Sequence, residues 1–151
     1  PGALKQMVAL AEAETASVIA VQDVPPEDTG SYGIVATRDF QGRHGEIRAI
    51  VEKPRPEAAP SSLAVVGRYV LSGAIFELLA RTRPGAGGEI QLTDGIAALI
   101  ERERVLAYRF KGQRFDCGSR IGLVQATIEF ALEHDDLAEA TRAYMREALA
   151  R

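Results

Sequence analysis

Two short segments carry residue types that can hold a sugar, a phosphate or a hard cation. The first, Glu52-Lys53-Pro54, follows an alternating run from Glu46 to Val51 that reads as a β-strand. Sites in α/β sheets collect at strand ends. A carboxylate placed there can accept hydrogen bonds from two sugar hydroxyls, and an ammonium beside it can hold a phosphate as a point charge. The same residues also describe an ordinary surface pair at the mouth of a turn, worth well under about 1 kcal/mol. The second segment, Phe115-Asp116-Cys117-Gly118, lies between an expected strand and an expected helix. Its aspartate can serve Mg²⁺, which keeps most of its waters and takes one or two carboxylates plus phosphate oxygens. A turn aspartate bonding its own backbone has the same local sequence. One carboxylate does not make a magnesium site, so a partner ligand has to come from elsewhere.

Other chemistries have less support. His44 and His134 fall in a turn and at a helix end, and neither neighbours a serine motif, so no nucleophilic triad is in view. Cys117 has Lys111, Arg114 and Arg120 nearby in sequence, which favours a thiolate, but a lone cysteine is more often a small core residue. Gly85-Ala86-Gly87-Gly88 lacks the lysine of a phosphate-binding loop, and no strand leads into it; it reads as a flexible connection.

The elements that must position these residues follow from periodicity. Leu4, Met7, Val8, Leu10 and Ala11 predict a helix over 4–14, and Ser17 to Val21 a buried strand. Pro25 to Gly30 breaks regular structure. Tyr32 to Ala36 predicts a strand, Asp39 to Gly45 a turn, and Glu46 to Val51 the antiparallel partner. The connector Pro54 to Pro60 is too short to separate domains. Leu63 to Val70 predicts a further strand. Ser72 is the expected cap of a helix to Arg81 that buries Ile75, Phe76, Leu78 and Leu79. Thr93 or Asp94 is the expected cap of a helix through Leu99 and Ile100. A strand over 105–110, a long helix capped by Ser119 and a last amphipathic helix after Asp135-Asp136 complete an α/β pattern.

Composition bounds the answer. The chain has 151 residues, 46% hydrophobic and 26% charged, which suits one globular domain with a core and argues against disorder. A net charge of -3 lacks the basic footprint of a nucleic-acid binder. A single cysteine excludes an internal disulfide framework and fits a reducing cytoplasm. No apolar run reaches the roughly 20 residues of a membrane span.

Six segments in order, Leu4 to Met7, Tyr32 to Val35, Val51 to Pro54, Ala59 to Ser72, Pro84 to Asp94 and Lys111 to Gly118, resemble the bacterial UTP–glucose-1-phosphate uridylyltransferases, or UDP-glucose pyrophosphorylases. Any one is weak; six in order and spacing are specific. The block Gly85 to Asp94 favours this family over the thymidylyltransferases. The resemblance implies the nucleotide-diphospho-sugar transferase fold: an α/β, Rossmann-like mixed sheet with flanking helices. The sugar-phosphate-binding part would occupy 1–118 and the C-terminal helices 119–151. It implies that UTP and glucose 1-phosphate give UDP-glucose and pyrophosphate, with Mg²⁺ as cofactor, in a cytoplasmic homo-oligomer, a tetramer or dimer.

Carried over by position, Lys53 matches the catalytic lysine that grips the sugar phosphate, and Glu52 the glutamate that holds sugar hydroxyls. Gly33 matches a glycine whose backbone approaches the sugar, while Val65 and Gly67 wall its pocket. Asp116 matches one of two magnesium aspartates. The family's glycine-rich nucleotide loop and its second magnesium aspartate have no counterpart in this sequence, and Pro1-Gly2-Ala3 reads like a chain entered partway through. The expectation is a C-terminal part of such an enzyme, inactive alone and with a sheet edge and apolar surface left open. Another sugar-nucleotide transferase, or a non-catalytic binding or oligomerisation module of the same fold, stays open as an alternative.

Overall fold

A computed structural model describes residues 2–84 and 88–151. The glycine loop expected at Gly85 to Gly88 therefore lies outside the described residues, except for Gly88. The chain divides into two compact units, Pro1–Gly112 and Gln113–Arg151.

The first unit begins with α1 (Ala3–Glu14) and β1 (Ser17–Asp23), joined by Thr15 in the left-handed region. A short 3₁₀ turn, Pro26–Ser31, leads to β2 (Gly33–Gln41) and β3 (His44–Glu52). A second 3₁₀ turn, Pro56–Ala58, precedes β4 (Leu63–Val70), α2 (Ala74–Arg81), α3 (Leu92–Ile100) and β5 (Val105–Tyr108). The expected turn over 39–45 is much tighter. Gln41 pairs with His44, so only Gly42 and Arg43 turn the chain, with Gly42 at φ +60°. Strand pairing thus extends into residues that read as loop, because a two-residue hairpin needs positive φ and glycine supplies it. His44 accordingly starts a strand rather than sitting in the turn.

The sheet is mixed. β1 runs parallel to β5 and antiparallel to β4, β2 is antiparallel to β3 and β4, and β3 is antiparallel to β5. The order β1-β4-β2-β3-β5 closes on itself, so every strand has a neighbour on each side. The open sheet edge expected from sequence is therefore not found among the described residues of this unit. Register shifts beside Ala36 and Arg38 bend the hairpin, and its far end, His44 to Glu46, reaches β5. The β2–β4 closure is thin, with one residue pair, Ile34 and Ala64.

Both faces of β1 are covered, which explains its continuous apolar run. Val18 and Ala20 pack with Met7 of α1 and Leu106, while Ile19 and Val21 join Val65, Ile75, Leu78, Ile96 and Leu99. Of the four residues expected to be buried on α2, Ile75 and Leu78 are buried and Phe76 is 74% exposed. Ser72 does not cap α2, whose cap position is Gly73 without a side-chain bond. The Ser72 hydroxyl instead donates to Glu103 at 2.8 Å. Apolar surface is open at Leu4, Val8, Val51, Phe76 and Ile90.

The second unit holds α4 (Arg120–Glu133) and α5 (Ala138–Leu149). Ser119 caps α4 as expected, its hydroxyl oxygen accepting the Gly122 N–H at 3.0 Å.

Candidate active site

Glu52 ends β3 directly across from Gly33, the first residue of β2. Strand pairing therefore places a carboxylate beside a residue with no side chain. A Cβ built on Gly33 would lie 3.2 Å from Glu52 Oε2 and 3.8 Å from both Thr93 Oγ1 and Val65 Cγ2. The four residues, from β2, β3, β4 and α3, converge on one point of the first unit.

Thr93 is the partner that sequence reasoning misplaces. Its residue type predicts a helix cap, but α3 starts at Leu92 with Gln91 in the cap position. Thr93 is left to turn its hydroxyl to Glu52 Oε2, donating at 2.6 Å. A short bond to an ionised oxygen is among the stronger side-chain hydrogen bonds. It fixes one oxygen of Glu52 and leaves the other able to accept from a ligand. The first turn of α3, with its partial positive charge, also favours a carboxylate nearby.

Tyr69 is a second residue that the motif did not single out. It lies on β4 four residues after Val65, and both pack into the cluster shared by β1, α2 and α3. The extra length of β4 explains how. Ile19 pairs with Tyr69 but Val21 pairs with Val65, so three residues of β4 face one of β1. Two added residues preserve alternation, whereas one would turn every later side chain to the other face. Gly67 sits in this bulge at φ +72°, and a Cβ there would meet nothing within 4 Å, so its role is backbone conformation rather than close approach. Strand parity between Val65 and Tyr69 is the signal that could have found Tyr69.

Burial, followed by the negative charge of Glu52, raises the Tyr69 phenol above its usual 10.0. The neutral phenol is therefore the form the fold favours. Its contribution to stability is complete below about pH 10 and is lost as pH rises toward the higher folded value. A phenolate absorbance titration should show a component that ionises above the usual tyrosine value of 10.0. Tyr69→Phe should remove that late component, and Glu52→Gln should move it part of the way back. A late component that survives Tyr69→Phe would contradict this assignment.

Lys53 follows Glu52 with φ +43°. Left-handed backbone is unfavourable for a lysine, and a following proline restricts it further. The conformation is held by its own N–H, which donates to the Tyr32 carbonyl at 3.0 Å, and by the buried Pro54. Its side chain is exposed, and the ammonium makes no ion pair among the described residues. Strain of this kind concentrates where a side chain has to be aimed.

Asp116 lies in the second unit. Its Oδ1 accepts the Gly118 N–H at 3.1 Å, the turn geometry that the sequence also allowed. Its carboxylate is exposed and forms no ion pair among the described residues. The described residues contain no group of three or more His, Cys, Asp or Glu able to hold a metal. The exposed Asp116 carboxylate can give a magnesium ion one oxygen ligand, and by itself it does not make a magnesium site.

Residues 2–133 match the Nucleotidyl transferase family. The chain is 49% identical over 124 residues to a UTP–glucose-1-phosphate uridylyltransferase of Pseudomonas aeruginosa, covering 82% of this chain and 44% of that protein. Among solved structures it resembles a UTP-bound UDP-glucose pyrophosphorylase of Acinetobacter baumannii, with a TM-score of 0.81 and 40% identity over 94% of this chain and 49% of the other. It also resembles a UDP-glucose pyrophosphorylase complexed with UDP-glucose, with a TM-score of 0.77 and 39% identity over 97% and 50% of the two chains. The chain spans about half the length of the curated relatives it matches. With a family match across most of its length and a glutamate, a glycine and a strained lysine gathered at the ends of two paired strands, the chain belongs to the nucleotidyl transferase family.

Proposed function

We propose that this chain supplies the sugar-phosphate half of an enzyme that makes UDP-glucose and pyrophosphate from UTP and glucose 1-phosphate. The observation that carries it is the pairing of Glu52 with Gly33. It presents a carboxylate, half engaged by Thr93, to a space that only a missing side chain leaves open. Glu52 accepts from sugar hydroxyls there, Gly33 lets the sugar approach the backbone, and Val65 and Tyr69 line its apolar side. Gly67 shapes the strand that carries them. Lys53 neutralises the sugar phosphate while one of its oxygens attacks the α-phosphorus of UTP. A new P–O bond forms, the bond to the β-phosphate breaks, and pyrophosphate leaves with the electron pair. No protein nucleophile is needed, because the sugar phosphate is already an anion. Asp116 would offer an oxygen to Mg²⁺, which when bound spreads the negative charge of the triphosphate. The reading carries with it a cytoplasmic homo-oligomer, to which the exposed Tyr144 and Leu149 of α5 offer apolar surface. No helix among the described residues is long and apolar enough to cross a membrane.

Pyrophosphate release should be measured for the chain alone and for a fusion to the half of the Pseudomonas aeruginosa relative that it does not match. The fusion should turn over UTP with glucose 1-phosphate, and faster than dTTP; the chain alone should not. A fusion that folds but is inactive with every nucleotide would overturn the proposal, and a preference for dTTP would move it to the thymidylyltransferases.

A further inference from the structure

Asp116 is held by a tight cap on α4, all within the second unit. The Asp116 carbonyl accepts the Ser119 N–H at 3.1 Å and the Ser119 hydroxyl at 3.0 Å. The Ser119 oxygen accepts the Gly122 N–H at 3.0 Å. The Asp116 carbonyl is thereby drawn down onto the first turn of α4, at the place where Gly122 has no side chain. A Cβ on Gly122 would overlap the Asp116 carbonyl oxygen, and would stand 2.8 Å from its carbonyl carbon and 2.7 Å from Ser119 Oγ. The obstructing atoms are mainly backbone and cannot swing aside as a side-chain end would. Glycine inside a helix costs chain entropy relative to alanine, and Gly122 has no positive φ to justify it. Close approach is the remaining physical reason for a glycine at this position.

We infer that Gly122 and Ser119 are positioning residues for Asp116. They fix its main chain so that Oδ1 is taken by the Gly118 N–H and the second carboxylate oxygen stays available to a divalent cation. This rests on the reading of Asp116 as a cation ligand. A Cβ on Gly118 would come within 3.1 Å of Asp116 Oδ1, so a side chain at that position would crowd the carboxylate.

The test uses two readouts. In ¹H–¹⁵N spectra of this chain, Gly122→Ala and Ser119→Ala should each shift the Gly118 amide resonance, while Ser119→Thr, which keeps the hydroxyl, should leave it near its original position. In the fused enzyme, Gly122→Ala and Ser119→Ala should raise the Mg²⁺ concentration for half-maximal activity by about 10-fold, the scale set by residues that orient a metal ligand. Circular dichroism checks folding, and Ser119→Ala carries the test if Gly122→Ala fails to fold. An unmoved Gly118 resonance together with an unchanged Mg²⁺ requirement in both variants would overturn the positioning role. Asp116→Asn separates the two claims: an unchanged Mg²⁺ requirement in that variant overturns the cation reading itself.

Discussion

Replacing Lys53 with alanine in the fused enzyme should lower kcat/KM by about 10²–10³, or about 3–4 kcal/mol of transition-state stabilisation. The size follows from removing a preorganised cation from the point where a phosphate oxygen attacks another phosphate. The backbone at φ +43° offers a sharper version of the test. Lys53→Gly removes the same ammonium and also releases the left-handed strain, which costs a residue with a Cβ roughly 1–2 kcal/mol. Lys53→Gly should therefore be as inactive as Lys53→Ala, yet unfold at an equal or higher urea concentration than the parent. Paired initial-rate and urea-midpoint measurements decide it. If Lys53→Gly kept the parent kcat/KM, the lysine would matter only for its backbone and the phosphate role would be lost.

The largest expected loss of stability is at Leu99. This side chain is fully buried in the cluster shared by β1, β4, α2 and α3. Leu99→Ala removes buried methyl and methylene groups and leaves a cavity, which costs about 2–5 kcal/mol. The loss should also reach the site, because Leu99 anchors the helix whose first turn carries Thr93. Phe76→Ala is the control. Phe76 is the larger side chain but is 74% exposed, so its replacement should change stability by less than about 0.5 kcal/mol in this chain. Chemical unfolding of the two variants checks both values, and a Phe76→Ala cost approaching that of Leu99→Ala would mean that Phe76 is covered in solution.

Local patterns make most elements legible in the sequence. The spacing of Leu4, Met7 and Leu10 marks α1, the β-branched runs mark β1 and β4, and Ser119 marks the start of α4. Those signals depend on neighbours within a few residues, where propensity and periodicity act. Phe76 is misread for the complementary reason. Helical spacing says which residues share a face, but only a packing partner decides how wide the buried stripe is. Ser72 is misread because Ser17 and Glu103, distant in sequence, compete for it.

The candidate site divides along the same line. Glu52, Lys53, Gly33 and Asp116 are named through the resemblance, from six motifs in order. Their residue types alone also describe a surface pair at a turn and a turn aspartate bonding its own backbone. What the sequence by itself determined was therefore the inventory of groups and the order of α and β elements. Tertiary structure alone decided that Gly33 faces Glu52 across a strand pair, that Thr93 comes from a helix 41 residues away to hold that carboxylate, and that a bulge in β4 keeps Tyr69 on the face of Val65. It also decided that Lys53 takes a left-handed backbone and that the strands among the described residues close on themselves. Each of these depends on hydrogen bonds and packing between segments far apart in the chain. No local preference encodes such contacts, because they exist only once the sheet has brought the segments together.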